Sequence, residues 1–525
     1  STRFSTEIIG TSGHCTIGNP KCWNESHLNG GDALSPSLKY ARAQISNYVD
    51  VANQWSFPCR RLSLTDLREK IPVPLPLMLA LACVAIFAVA IIRSPAPFLH
   101  DYAEWAFQGK ILSLYWTSPE EVAGYSLYPY PVPYLLSHYL IAAYNLVFPP
   151  ILAAKLFLLS YVLLSLWVFS KFLGRYVTDI EQRQLLWVLL VCLGTFSSFF
   201  WYGYIGYQLG FLLFLYFLAL YRTDSCASMI GLFGVLAFFA HATIFLQLAM
   251  FVVIAVVFFG YQRRQLLGLL PCAALSVWFL YGRYFSQTHE TITQSTWGGF
   301  LEAVVYKLGM VTMHGPFKNF LDPSGTSLLE HYPVVYWMGV ATNLLVVTFL
   351  GGLYLRALLY LWAGGIGQGG RSELKALAAC SIGLVVIYAV APYNFFGLVH
   401  PGGRVILPFL CLALVIISAA GLRLKQGWLI LVALVSLATA TSYWVTATGV
   451  NGLANLSGAV KAKPPAAATK SVMAYNDWLY RNTRFKYYNY RIFVMADRYR
   501  RLEEGDYRGI GFTTGPISGF DGKSQ

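Results

Sequence analysis

Charge is scarce in this chain. Only 12% of its 525 residues are Asp, Glu, Lys or Arg, where an ordinary soluble domain carries about 25%, and 56% are hydrophobic. A soluble globular protein is excluded by that balance. Acids are scarcer than bases, 24 against 38, and the resulting net charge of +14 lies mostly in short loop flanks and the C-terminal tail. Spread in that way it does not indicate nucleic-acid binding. The nine cysteines form no metal-type spacing, and their odd number supports no disulfide framework; those inside apolar runs read as small core residues. Also missing are a Walker loop, a dinucleotide fingerprint, an HExxH pair, a nucleophile elbow and any internal repeat.

What remains is a series of apolar runs of the length that a helix needs to cross about 30 Å of hydrocarbon. They fall at about 72–92, 151–172, 185–200, 208–221, 227–240, 242–260, 265–284, 334–361, 374–392, 405–421 and 427–446. The expected fold is an all-α polytopic membrane protein of about eleven transmembrane helices, with interfacial helices in the first outer loop and a small C-terminal extracytoplasmic segment. The stretch 132–148 is interrupted by Ser137, His138 and Asn145 and reads as interfacial.

Lys and Arg in short loops set the orientation. With the N-terminus inside, the cytoplasmic face gathers Lys171, Arg175, Arg183, Arg222, Arg263, Arg264, Arg356, Arg371, Lys375, Arg423 and Lys425, while the longer outer loops hold far fewer cations. Counting 132–148 as a span inverts this bias. Three parts follow: a polar cytoplasmic segment 1–70, a bundle 71–446, and an aromatic, basic extracytoplasmic segment 447–525. The first has neither a start Met nor an apolar signal core and reads as the beginning of a processed chain or a fragment. The last carries 12 Lys and Arg against 6 acids; from Ser471 to Glu504 it reads as one or two amphipathic helices whose basic face meets lipid head groups or solvent.

The candidate site is a polar island, His100-Asp101-Tyr102-Ala103-Glu104-Trp105, directly after the first span. On a helix from Asp101 to Tyr115 lying at the interface, Asp101, Glu104 and Gln108 share a water-facing side, with Trp105 and Leu112 as membrane anchors. Carboxylates placed so serve as general base toward an acceptor hydroxyl, divalent cation ligand or hydrogen-bond acceptor for a sugar. Tyr128, Tyr130, Tyr204 and Tyr207 are of the type that stacks on sugar rings, although tyrosines at these edges also belong to an ordinary aromatic belt. His241 lies between two apolar runs, where a polar residue at membrane depth is a functional candidate. His331, before Tyr332-Pro333, is the loop histidine singled out for binding.

The spacing Asp101, Trp105 and Lys110, followed by the Tyr-Pro pairs at 128–131, resembles the first outer loop of the GT-C superfamily of polytopic glycosyltransferases. The run Gly403-Arg404-Val405-Ile406-Leu407-Pro408 resembles the Arg-Tyr-x-x-Pro start of a late helix in those enzymes. The resemblance extends over 72–446 in layout but over about 60 residues in motif. It implies transfer of a sugar from a polyprenyl-phosphate donor to a glycan or protein acceptor at the extracytoplasmic face. Asp101 takes the catalytic position, Glu104 assists, and Lys110 and Arg404 hold the lipid phosphate. Family members that bind a divalent cation carry a second acid in the next outer loop, whereas Phe200 to Gln208 has none; this counts against a divalent cation, and no cofactor is assigned. Two other readings remain, a multi-spanning transporter or flippase and a noncatalytic subunit of a membrane complex. Against transport, the spans carry almost no carboxylates.

Overall fold

Apolar runs bounded by proline and charge become helices whose ends can be traced to single residues. In the computed structural model the described residues are 74–97, 99, 101–285, 303–304, 307–308, 311, 333–363, 371–392, 394–395, 398–399, 401–448, 490–507 and 516–520. All of them belong to one unit, Ile71–Gln525. The 1–70 segment, His100 and His331 lie outside the described residues.

Helix α1, Pro74–Arg93, has its prolines in the first turn, where no backbone donor is lost; it stops before Ser94-Pro95-Ala96-Pro97, which cannot continue a helix. Its 20 residues span about 30 Å. Helix α2, Tyr102–Thr117, ends ahead of Pro119. A short strand β1, Tyr125–Leu127, and helix α3, Leu135–Asn145, follow. Eleven residues rise only about 16 Å, so α3 is too short to cross, as the sequence reading of 132–148 requires.

Next come α4, Pro150–Tyr176; α5, Ile180–Leu190, continuing as a π-turn Val191–Thr195; α6, Ser198–Trp201; α7, Ile205–Leu220; α8, Ala227–Ala240; and α9, Ala242–Phe258. Then follow α10, Leu270–Phe285; α11, Pro333–Trp362; α12, Arg371–Val390; a hairpin β2–β3 of Asn394–Phe395 and Leu398–Val399; α13, Ile406–Ala419; and α14, Gln426–Thr448. The C-terminal part contributes α15, Tyr490–Glu504, and β4, Ile517–Phe520.

The described fold is mostly helical. Among the described residues seven helices are long and apolar enough to cross a membrane: Leu75–Arg93, Pro150–Tyr176, Ile180–Trp201, Arg263–Arg283, Val340–Trp362, Ser372–Val390 and Gly402–Ala419. Four shorter apolar helices, Ile205–Leu220, Ala227–Ala240, Ala242–Phe258 and Gln426–Thr441, lie on the other expected segments.

Contacts between distant residues define two ends of the bundle. At one, Lys155 at the start of α4 donates to the Ile92 and Ser94 carbonyls after α1, and the Tyr102 hydroxyl donates to the Ala154 carbonyl at 2.7 Å. At the other, Arg175 at the end of α4 pairs with Glu373 at 2.8 Å, Arg423 pairs with Asp179, and the Gln265 amide ties down the Arg222, Thr223 and Ser225 carbonyls. Antiparallel β1–β4 pairing, Tyr125 opposite Phe520, brings the C-terminal part to the end that carries α2.

Candidate functional site

Helix α2 is held from several sides. Eleven of its residues are buried, Trp105 and Leu112 among them, so neither is a lipid-facing anchor. The expected free interfacial helix is corrected on this point: α3, α4 and α15 pack against it, and Gln108 is fully buried. Only Asp101 and Glu104 of the expected water-facing side keep partial exposure.

Asp101 occupies the N-cap position, yet its side chain makes no capping hydrogen bond. Its carboxylate is therefore not used in the ordinary role of an Asp before a helix. Its backbone N–H donates to the Tyr202 carbonyl at 3.1 Å. The next residue, Gly203, has φ +76°, and a Cβ there would stand 2.6 Å from the Tyr102 nitrogen and 2.9 Å from that of Asp101. Glycine is thus required both for the left-handed turn and for the close approach. Gly206 is similarly filled by Trp105, whose ring carbons come within 2.7 Å of the position a Cβ would take.

Two residues beyond Tyr202, the Tyr204 ring carries the Arg404 guanidinium at 5.3 Å from its centroid. Arg404 is 7% exposed. One of its Nη atoms lies 2.9 Å from Nε2 of His241, and its carbonyl accepts from the Tyr207 hydroxyl at 2.8 Å and the Gln247 amide at 3.2 Å. His241 ends α8 and begins α9 in an extended conformation, its ring set edge-on against Tyr134 at 4.7 Å and Tyr207 at 5.4 Å. Four expected site residues, Tyr204, Tyr207, His241 and Arg404, therefore form one cluster at the Asp101 end.

The electrostatics of this cluster are unbalanced. Among the described residues no carboxylate pairs with Arg404, and its Nε is buried without a hydrogen-bond partner. Burying one ion costs several kcal/mol. A cation–π contact returns about 0.5–2 kcal/mol and one hydrogen bond to a charged group about 1.5–3 kcal/mol. An anion arriving beside Arg404 would supply the missing part.

Other expected residues fall elsewhere. Lys110 lies nine positions along α2 from Asp101, which is about 13 Å of rise and half a turn round the helix; the structure does not bring the two together. Burial holds the Lys110 amine below its ordinary range, opposed by Glu121. Tyr130 is buried against Gly282 of α10, whose absent side chain makes room for its ring. Tyr128, half-buried, lies 5.2 Å from the Tyr130 ring, and its N–H donates to the Pro516 carbonyl. This pair secures the β1–β4 region.

Two participants had weak signals in the sequence. His138 stacks on Trp105 with centroids 4.7 Å apart, and its Nδ1 bonds the Tyr134 carbonyl at 2.8 Å. Burial pushes its pKa down to about 4. Tyr134 itself adopts a left-handed φ of 82° after Pro131-Val132-Pro133. The second participant is α15. Its arginines, expected to face lipid head groups or solvent, are occupied within the protein: Arg500 pairs with Asp497 and Glu504, and Arg501 with Asp497 and Asp506. Arg498 lies over the Phe107 ring at 5.8 Å; burial lowers its pKa, and the charges of Glu104 and Asp497 oppose that shift.

Among the described residues no three His, Cys, Asp or Glu side chains converge as a metal site. Compared with known proteins, the chain matches no family model, no curated protein and no solved structure.

Proposed function

We propose that this chain is an integral membrane glycosyltransferase of the GT-C type, moving a sugar from a polyprenyl-phosphate donor to a glycan or protein acceptor on the extracytoplasmic face. The observation that carries the proposal is the buried Arg404 guanidinium, without an acidic partner among the described residues, at the end of the bundle where Asp101 remains partly exposed. A phosphodiester meets both needs of Arg404, charge and planar donor geometry. In this reading Asp101 accepts the proton of the acceptor hydroxyl as that oxygen attacks the anomeric carbon. The bond to the lipid phosphate breaks, and Arg404 stabilises the charge left on it. Tyr204 and Tyr207 border the cluster, and Glu104 orients the sugar.

The same proposal takes all eleven apolar helices as spans, with residues 1–70 and the Arg175–Glu373 end cytoplasmic. The excess of Lys and Arg in the loops of that end supports the assignment. Transfer is tested with purified protein in liposomes and a panel of radiolabelled polyprenyl-phosphate sugars. Labelled acceptor is the expected result. If no donor in the panel reacts although polyprenyl phosphate binds, the chain is a noncatalytic binding subunit.

A further inference from the structure

Arg404 carries only donors and does not lose a proton in proteins. Its 2.9 Å contact with Nε2 of His241 therefore makes that nitrogen the acceptor. A neutral imidazole with a bare Nε2 has its proton on Nδ1. The partner for that proton is the Thr243 hydroxyl oxygen, 2.7 Å away. The Thr243 backbone N–H, 3.3 Å from the same Nδ1, then faces a donor and contributes no hydrogen bond. His241 is thus poorly used as a helix cap, although it stands at the N-cap of α9, and its other nitrogen is committed to the guanidinium.

The surroundings fix the ring as well as its proton. His241 is 2% exposed, held between the edge-on rings of Tyr134 and Tyr207, and placed by the break between α8 and α9. The Tyr207 hydroxyl and the Gln247 amide hold the Arg404 backbone through its carbonyl, which leaves the long side chain to be aimed by His241 and the Tyr204 ring. Two donors' worth of contact fixes the main chain, and one acceptor fixes the charged head.

We infer that His241 is a positioning residue: as a neutral Nδ1–H tautomer it accepts from Arg404 and aims the guanidinium at the anionic phosphate of the donor lipid, rather than touching the sugar itself. This rests on the reading of Arg404 as a phosphate ligand. It separates two jobs that a histidine at this place could do, because capping needs a bare Nδ1, which this tautomer lacks, and positioning uses Nε2.

Two substitutions divide them. Asparagine in His241→Asn keeps a short acceptor suited to an N-cap but does not reach Arg404. Glutamine in His241→Gln carries its carbonyl oxygen out to about the place of Nε2. The probes are a polyprenyl monophosphate and the matching uncharged polyprenol, titrated against full-length protein in detergent, with thermal unfolding as the control for folding. Wild type and His241→Gln should prefer the phosphate to a similar degree, and His241→Asn should lose about 10-fold of that preference, as expected when one hydrogen bond to a charged group is lost, with polyprenol binding unchanged. Retention of the preference by His241→Asn, or equal loss in both variants, overturns the inference while leaving the phosphate site intact. Wild-type protein that binds both probes equally overturns the phosphate reading of Arg404 and the inference together. Nitrogen-15 NMR of histidine-labelled wild-type protein gives an answer independent of either variant's folding: the imidazole of His241 should show a protonated Nδ1 and a bare Nε2, and the reverse tautomer overturns the assignment.

Discussion

Asp101 and Tyr202 are joined main chain to main chain, the N–H of one donating to the carbonyl of the other across 3.1 Å. Residues one hundred and one positions apart thereby share a local geometry, and the Gly203 turn beside them leaves no space for a side chain. The placement of the candidate base is set by a glycine in another loop.

Gly203→Ala should therefore disturb the Asp101 region from outside it. The alanine must take φ near +76° and bring its Cβ within 3 Å of two backbone nitrogens. Strain of that kind costs about 1–3 kcal/mol, so the expected outcome is a lower midpoint of thermal unfolding and reduced transfer by the protein that remains folded. Wild-type stability and activity in this variant would show that the contact is not maintained.

The roles of the two carboxylates are separated by isosteric amides. Asp101→Asn keeps size and much of the hydrogen bonding but removes the capacity to take a proton, so turnover should fall by roughly 10²–10⁴-fold with donor binding little changed. Glu104→Gln should cost less, because the charge of Glu104 is engaged by Arg498 of α15. Initial rates at equal folded protein compare the two; a larger loss at Glu104 exchanges their assignments.

Orientation has a native probe. Cys226 is exposed in the turn between α7 and α8, at the Arg175 end of the bundle. A membrane-impermeant maleimide should reach it only from the cytoplasmic side, seen as a labelled fraction that disappears in Cys226→Ser. A cysteine introduced at Glu120, exposed in the first loop, should react only from outside. Labelling of both from one face contradicts the opposed ends described above.

Most of the helical layout was legible because runs bounded by proline and charge leave few alternatives: α1 ends where Pro95 and Pro97 forbid continuation, and α3 is confined to eleven residues between the left-handed Tyr134 and the prolines at 149–150. The grouping of Arg404, His241, Tyr204 and Tyr207 was only partly visible. Each residue type attracted notice, and the boundary at His241 between the runs 227–240 and 242–260 was read, but nothing in the sequence shows that the break turns the ring toward Arg404. Lys110 misled because its spacing from Asp101 was considered as a motif and not as two and a half helical turns, which place it on the far side of α2. The docking of α15 was hidden for another reason. Its arginines suggested contact with lipid or solvent, whereas Asp497, Glu504 and Asp506 lie at distances along the chain that let them absorb those charges.

His138 gives the fold a pH dependence with a definite sign. Its folded pKa of about 4 lies below the ordinary value of about 6.5, so between these limits the unfolded chain binds more protons than the folded one. Stability contributed by the neutral ring is then complete above about pH 6.5 and is lost as pH falls toward 4. The full difference corresponds to roughly 3 kcal/mol at most. Thermal unfolding in detergent across this range should show the decline, and His138→Phe, which keeps an aromatic ring against Trp105, should flatten it. An unchanged slope in that variant would assign the acid sensitivity to other groups.

The C-terminal helix should be coupled energetically to the candidate site. Arg498 and Glu104 influence each other across the α2–α15 contact, and Phe107, one turn on from Glu104, lies beneath the guanidinium. Its ring also meets Tyr507 at 5.9 Å, so one face of α2 receives both α15 and the chain that follows. Arg498→Gln leaves Glu104 without this opposing charge, while Glu104→Gln leaves a largely buried Arg498 with Asp497 but without its partner on α2. Either single change should lower stability, and the double change should cost less than their sum by about 0.5–3 kcal/mol, the range for residues in one network. The cycle is measured by unfolding in detergent, with transfer followed in parallel. Strict additivity in both quantities would mean that α15 covers α2 without communicating with it, and that the C-terminal segment serves only as a structural cover.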